Sequence, residues 1–260
     1  MEDVLLQELE SGVLTISFNR PDARNAWNHE LEDGLRAALT KADDDPRVKV
    51  IVITGAGRTF CPGPDPKAIS SGKSHRQVEQ SDDDFGQRYS YMLGLRKPII
   101  AAINGAAAGV GLCITLYCDL RFIAETAKTT MAFSRRGLIA EHGSAWMLPR
   151  LIGPMNAADL LLSGRVVSAT EAESLGLARS LPAESFLTVV QSYARDIAQN
   201  CSPRSMMMIK KQLRETWSQT LAQATTISNQ ETALCIGSEE VREGMAALVE
   251  KRAPRFADLA

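Results

Sequence analysis

Residues 97–128 read KPIIAAINGAAAGVGLCITLYCDLRFIAETAK, and this stretch decides the fold. Its segment PIIAAIN (98–104) is short and apolar, as buried strands are, and DLRFIAE (119–125) predicts a further strand. Between them, GVGLCITLYCD (109–119) predicts a helix of small residues. Strands and helices that alternate in this order are typical of an α/β fold.

The same alternation begins earlier in the chain. VLTISF (13–18) and VKVIVIT (48–54) are rich in β-branched residues and predict strands, and LEDGLRAALTKADDD (31–45) has the apolar spacing of a helix. After about residue 140 the pattern becomes helical, and Ser168 and Ser202 are predicted helix starts. The polar stretch SGKSHRQVEQSDDD (71–84) predicts a mobile surface loop. The segments predicted as helices are NAADLLLSG, SATEAESLG, ESFLTVVQSYARDIAQN, SPRSMMMIKKQLRETW and the stretch 218–252.

The composition excludes several functional classes. The chain has 260 residues, 45% of them hydrophobic, which is enough for a sizeable core and argues against disorder. Its 29 basic and 31 acidic residues give no basic excess for nucleic acid. The acidic N-terminus is unlike a secretory signal and no run is long enough to span a membrane, so we expect a cytoplasmic protein that binds neither nucleic acid nor membrane. The five dispersed cysteines lack a C-x-x-C pair, which predicts reduced thiols and no metal site.

Two glycine motifs have alternative interpretations. GAGR (55–58) and GVG (109–111) are each half of a dinucleotide-binding pattern, but neither completes G-x-G-x-x-G, which disfavours a nicotinamide cofactor. In GAAAGVGL the small residues either let a helix approach a sheet closely or place N-terminal N–H groups against an anion or a developing oxyanion.

Six segments together resemble the crotonase, or enoyl-CoA hydratase/isomerase, superfamily over nearly the whole chain. The resemblance implies an α/β, crotonase-type spiral of ββα repeats with a C-terminal helical region. We expect the spiral core over residues 1–195 and the helical region, involved in oligomerisation and the CoA site, over 196–260, in a homotrimer or a dimer of trimers. The matching segments are NRPDARNAWN (19–28), TGAGRTFCPGPDPKAI (54–69), residues 97–128, FSRRGLIAEHGSAWMLPRLIG (133–153), LLLSGRVVSATEAESLGLA (160–178) and EEVREGMAALVEKRAPRF (239–256).

The resemblance implies an acyl-CoA substrate whose thioester oxygen is stabilised by two backbone N–H groups. These positions fall on Pro64 and Val110. Val110 has an N–H to donate, but Pro64 has none because its nitrogen carries the ring. The loss of one such donor costs about 3 kcal/mol, or ~100-fold in rate, unless another group replaces it.

The acidic residues also depart from the hydratase pattern. The two glutamates of a typical hydratase fall on Cys113 and Gly137, whereas GLIAEHG places Glu141 where double-bond and ring isomerases have an acid. Glu141 is therefore the candidate proton shuttle, with His142 beside it as a second candidate; the alternative for Glu141 is a solvated or helix-capping acid. Cys113 is interpreted as a small apolar filler, with a reactive thiol as the alternative.

Five residues are carried over to the CoA site by resemblance, with surface charge as the alternative for the basic ones. CoA is expected as part of the substrate, with no other cofactor required. The candidates are Arg24, Ala26, Pro62, Asp65 and Lys251.

Three functions remain open from the sequence. The first is an acyl-CoA enzyme that shifts a double bond through a thioester enolate and is not a two-glutamate hydratase. The second is a hydrolase of a β-diketone or another non-standard substrate. The third is a non-catalytic acyl-CoA-binding homologue.

Overall fold

The computed structural model describes residues 3–67 and 83–258. A six-stranded sheet forms the centre, in the order β1-β2-β3-β5-β7-β10. Only β1 and β2 are antiparallel; the other neighbours are parallel. The strands β3 and β5 are buried along their whole length, which explains their continuous apolar sequence. These strands are β1 (Leu5–Glu10), β2 (Val13–Phe18), β3 (Val50–Gly55), β5 (Ile99–Ile103), β7 (Leu120–Ala124) and β10 (Arg179–Leu181).

A second sheet of four short strands has the order β4-β6-β8-β9. Its strands are β4 (Thr59–Cys61), β6 (Ala106–Ala108), β8 (Lys128–Thr130) and β9 (Val166–Ser168). The strand pairs β3/β4, β5/β6 and β7/β8 each give one strand to each sheet, so the chain winds from sheet to sheet as a spiral. The predicted α/β spiral is confirmed.

Ten α-helices occur in the described residues, and the helices predicted from periodicity are among them. The side chains of Ser168 and Ser202 accept the N-capping hydrogen bonds that were predicted for them. The predicted helical stretch 218–252 forms two helices, α9 and α10, separated near Gly237. The helices are α1 (His29–Asp44), α2 (Tyr91–Gly94), α3 (Val110–Leu116), α4 (Ser144–Ile152), α5 (Pro154–Ser163), α6 (Ala169–Ser174), α7 (Phe186–Asn200), α8 (Pro203–Glu215), α9 (Leu221–Cys235) and α10 (Glu239–Glu250).

Helix α3 packs directly against the second sheet at Gly111. A Cβ atom on Gly111 would lie 2.2 Å from the Cys61 carbonyl oxygen, so no larger residue fits there. The close-packing interpretation of GAAAGVGL therefore applies, and it fixes the start of α3 beside the loop that follows β4.

Two sequence predictions remain open. Of the loop predicted over 71–84, residues 71–82 lie outside the described residues. The division at residue 195 falls inside α7, which continues to Asn200, and stays a prediction. Within the described ranges, no helix has the length and apolar character needed to cross a membrane.

Candidate active site

Two backbone segments meet at a cavity of about 520 Å³. Pro64, in the loop after β4, and Val110, the first residue of α3, both lie in its wall. Glu141 and His142 line the same cavity. The structure thus brings together all four residues that the sequence proposed for catalysis.

The loop at Pro64 is fixed by an isolated parallel β-bridge to Trp27. The Trp27 N–H donates to the Gly63 carbonyl at 2.8 Å, and the Asp65 N–H donates to the Trp27 carbonyl at 2.8 Å. In such a bridge the central residue directs its own nitrogen and carbonyl away from its partner. Pro64 therefore turns a ring nitrogen without hydrogen away from Trp27.

Val110 has a free backbone donor because of its position in α3. As the first residue of the helix, it has no preceding turn whose carbonyl could accept its N–H. Gly109 precedes it with φ of 52° and donates its own N–H to the Thr130 carbonyl at 3.1 Å. The glycine with positive φ thus precedes α3 directly, and Val110 lies in the cavity wall.

Glu141 lies in the turn before α4, and its side chain is 30% exposed. Ser144 holds the turn by donating its N–H and hydroxyl to the Glu141 carbonyl, at 3.0 and 2.7 Å. The residue at the helix-capping position is Gly143, and no side chain caps α4. The Glu141 side chain therefore forms no capping hydrogen bond with α4, and the choice between a proton shuttle and a solvated acid stays a prediction.

His142 adjoins Glu141 but is neutral at ordinary pH. Burial, together with the nearby charge of Arg88, lowers the pKa of this imidazole to about 4. Its Nε2 is 3.8 Å from the Glu141 carboxylate, too far for a hydrogen bond. Its carbonyl accepts a 2.7 Å hydrogen bond from the Tyr117 hydroxyl, which anchors the left-handed backbone at φ of 56°.

A second carboxylate in the cavity was missed from the sequence. Glu32, on α1, is paired with Arg88 through two hydrogen bonds from the guanidinium group, and both residues line the cavity. Glu32 is 8% exposed and shares the buried side of α1 with Leu31 and Leu35. The signal available in the sequence was an acidic residue on the apolar face of a predicted helix. Its partner is 56 residues away and has no local signature.

The candidates for the CoA site separate into two groups. Arg24, Ala26 and Pro62 line the cavity, as does Arg136, which the sequence analysis did not select. Asp65 and Lys251 do not line it. Lys251 is the residue that caps the C-terminal end of α10.

Asp65 has a structural partner within the loop. Its carboxylate accepts a 2.8 Å hydrogen bond from Arg20, which lowers the pKa of Asp65. The same guanidinium group donates to the Ala26 carbonyl. Arg20 therefore ties the segment before α1 to the loop after β4, and Asp65 positions the cavity wall.

The two positions that carry glutamate in a typical hydratase have no carboxylate here. Cys113 is fully buried in α3, and burial raises the pKa of its thiol, so the apolar-filler interpretation fits its surroundings. Gly137 ends a turn with φ of 70°. In the part of the chain that the structure describes, no cluster of three or more metal-binding side chains occurs.

The spiral of two sheets, with a helix N-terminus and a carboxylate at one cavity, defines a crotonase-type enzyme. The chain belongs to the enoyl-CoA hydratase/isomerase family, whose model matches residues 8–259. It is 33% identical over 255 residues to a probable enoyl-CoA hydratase of Mycobacterium tuberculosis, with 98% of each chain covered. It is 32% identical over 260 residues to the 1,2-epoxyphenylacetyl-CoA isomerase of Escherichia coli, covering 98% of this chain and 99% of that one.

Solved structures agree with this assignment. The crystal structure of a probable enoyl-CoA hydratase/isomerase from Mycobacterium abscessus superposes with a TM-score of 0.89 at 34% identity, covering 98% of this chain and 99% of that chain. The protein is thus an enzyme of this family, and the family comprises more than one reaction.

Proposed function

We propose that this enzyme shifts a double bond in an acyl-CoA thioester through an enolate intermediate. One observation carries the proposal: the Glu141 carboxylate lines the cavity, forms no salt bridge with an arginine or lysine among the described residues, and shares the cavity with Val110. Relatives of similar identity are named both as a hydratase and as an isomerase, and the lack of carboxylates at Cys113 and Gly137 favours isomerisation over hydration.

A single carboxylate is sufficient for this reaction. Glu141 removes a proton from the carbon next to the double bond, the electrons move onto the thioester oxygen, and the Val110 N–H donates to that oxygen. Glu141 then returns the proton at the other end of the conjugated system, so the substrate and product have the same atoms. The other cavity carboxylate, Glu32, is held by Arg88 and is therefore poorly placed to accept a proton.

CoA enters this proposal as part of the substrate, and the chemistry requires no metal and no redox cofactor. The Arg24 and Arg136 side chains in the cavity wall are suited to the phosphates of a nucleotide. Lys251 would approach the nucleotide only from another subunit, as the resemblance implies. The five free cysteines fit a reducing compartment, and we place the enzyme in the cytoplasm.

We further propose a homotrimer or a dimer of trimers. Helix α9 has no buried residues in the single chain, and Leu221 and Leu234 are 84% and 73% exposed. Packing α9 against a neighbouring subunit would remove this apolar surface from water. Light scattering should then give the mass of three or six chains.

The function is tested with a panel of trans-3-enoyl-CoA and dienoyl-CoA substrates. We expect formation of the conjugated 2-enoyl-CoA, and a loss of at least about 100-fold in kcat in Glu141→Gln. Glu8→Gln, on the exposed face of β1, is the matched control and should keep the activity. Full activity in Glu141→Gln would overturn the proposal, and tight binding of every thioester without turnover would favour a non-catalytic homologue.

A further inference from the structure

A second cavity, of about 610 Å³, adjoins the candidate active site. The two cavities share Arg88 and His142 as wall residues, and His142 follows Glu141 in the chain. An acyl group whose thioester lies at Val110 therefore has this second cavity within reach. The volume suits a ligand of the size of one ring with a short chain.

The wall of this second cavity is aromatic. Trp146 and Trp217 meet edge to face with ring centroids 5.0 Å apart, and Tyr89 meets His142 in the same way at 5.1 Å. Tyr117 and Phe85 complete the aromatic wall, and Leu93 is its one aliphatic lining residue among those described. Rings packed edge to face favour a flat aromatic ligand over a flexible alkyl chain.

A cationic acyl group is disfavoured, although aromatic walls often bind ammonium groups. A guanidinium group already lies over three of the rings. Arg150 lies 3.7 Å from the centroid of Trp146, and Arg214 lies 4.5 Å from the centroid of Phe85. Arg88 lies 5.2 Å from the centroid of Tyr89. A further positive charge would be repelled by these groups.

A carboxylate is disfavoured as well, since Arg88 and Arg214 have acidic neighbours. Arg88 is paired with Glu32, and Arg214 lies 3.8 Å from Glu215. Asp84 adds another negative charge to the wall. The ligand that suits this balance is neutral.

Two hydroxyl groups in the cavity wall have no hydrogen bond of ordinary geometry. The Tyr89 hydroxyl and the Ser90 hydroxyl are both buried without a partner, and Tyr89 is only 3% exposed. Leaving a buried hydroxyl without a partner costs about 1–3 kcal/mol. Burial raises the pKa of Tyr89, and the neighbouring Trp27 indole N–H lowers it by less. Both hydroxyl oxygens are enclosed by protein atoms, so neither is open to a ligand in the cavity.

We propose that the acyl group of the substrate carries a neutral aromatic ring, bound in the aromatic cavity. This inference rests on the proposed function for the position of the thioester. It adds the chemical class of the acyl group.

The test compares saturated thioesters that contain no double bond to shift, so that binding is measured apart from turnover. Octanoyl-CoA and phenylacetyl-CoA have equal numbers of acyl carbons and differ in shape. By calorimetry we expect phenylacetyl-CoA to bind about tenfold more tightly than octanoyl-CoA.

One variant makes the test specific. Trp217→Leu removes an aromatic wall residue and should weaken phenylacetyl-CoA but not octanoyl-CoA. A thermal melt of this variant confirms that it folds.

Equal or tighter binding of octanoyl-CoA would overturn this inference alone. Equal loss of affinity for phenylacetyl-CoA and octanoyl-CoA in Trp217→Leu would also overturn it, because Trp217 would then have a general structural role. If the binding preferences appear but no double bond is shifted in the substrate panel, the proposed reaction fails and the inference about the acyl group stands. Binding of no thioester would overturn both.

Discussion

Pro64 faces Trp27 across a β-bridge that fixes the first loop of the active site. The hydrogen bonds on either side of Pro64, both 2.8 Å long, hold the loop in place without using the nitrogen of Pro64. The bridge therefore holds position 64 so that a backbone N–H there would point away from Trp27, but proline has no such hydrogen. Val110 is left as the backbone donor at the opposite wall.

Replacing Pro64 by alanine should restore the missing donor. The flanking hydrogen bonds to Trp27 do not involve the ring, so the loop should keep its position. We expect Pro64→Ala to raise kcat on a conventional enoyl-CoA by ~10- to 100-fold, or to tighten thioester binding. Steady-state kinetics and calorimetry measure the two effects.

Pro46→Ala, in the exposed turn after α1, is the control for the general effect of losing a proline. It should leave the kinetics unchanged. If Pro64→Ala were also without effect, the loop would not contact the thioester oxygen.

The pair formed by Arg88 and Glu32 should be costly to break on one side. Arg88→Met leaves a carboxylate that is largely buried without its partner, so we expect a loss of about 3–5 kcal/mol in the free energy of unfolding. The double variant Arg88→Met with Glu32→Leu should lose less than Arg88→Met alone. Denaturant unfolding of the single and double variants measures the coupling, and additive losses would contradict it.

His142 should make the protein less stable in weak acid. Unfolded histidine binds its proton near pH 6.5, but burial delays protonation in the folded protein to about pH 4. The unfolded state therefore binds more protons between these values, and stability falls as the pH falls through this window. We expect wild type to lose about 2 kcal/mol more than His142→Asn between pH 7 and pH 5.

Asparagine is the suitable replacement because it tolerates the left-handed backbone of position 142. Acidic groups with lowered pKa, such as Asp65, also favour the folded state and affect both proteins alike. The difference between the two pH profiles therefore isolates the imidazole. Parallel profiles from denaturant unfolding would show that His142 is accessible to protons.

Gly111→Ala should disturb both stability and the oxyanion donor. The added Cβ would lie 2.2 Å from the Cys61 carbonyl oxygen, so α3 must move and carry Val110 with it. We expect a loss of more than about 2 kcal/mol in stability and a fall in kcat. Gly34→Ala, inside α1 and next to the movable Leu5 side chain, should instead be neutral or slightly stabilising. Thermal unfolding distinguishes the two, and equal melting temperatures would contradict the packing argument.

The central strands and most helices could be predicted because their signal is local. The uniformly apolar segments at Ile99–Ile103 and Val50–Gly55 became buried strands, and Ser202 capped the helix expected after it. The edge strand Leu5–Glu10 was missed because only Leu5 is buried, so the segment lacks alternation. The strands of the second sheet have three residues each, too few for any period to appear.

The candidate site was predictable only in part, for a related reason. Pro64, Val110 and Glu141 could be placed from family motifs, and the structure gathers them at one cavity. The pairing of Glu32 with Arg88 joins α1 to a segment 56 residues away. The Asp65 carboxylate is engaged by a hydrogen bond from Arg20 and does not line the cavity. Both depend on long-range contacts that no local pattern records.

The ring at Pro64 has a genetic consequence. Proline and alanine codons differ only in their first base, so one nucleotide change would give this active site a full pair of backbone donors. The bridge to Trp27 would keep the loop in position. The surrounding architecture needs no compensating substitution, because neither bridge hydrogen bond involves the ring. Selection on a conventional enoyl thioester would therefore be expected to find this codon early, and its recovery would mark the loop as the point where the enzyme's reactivity is adjusted.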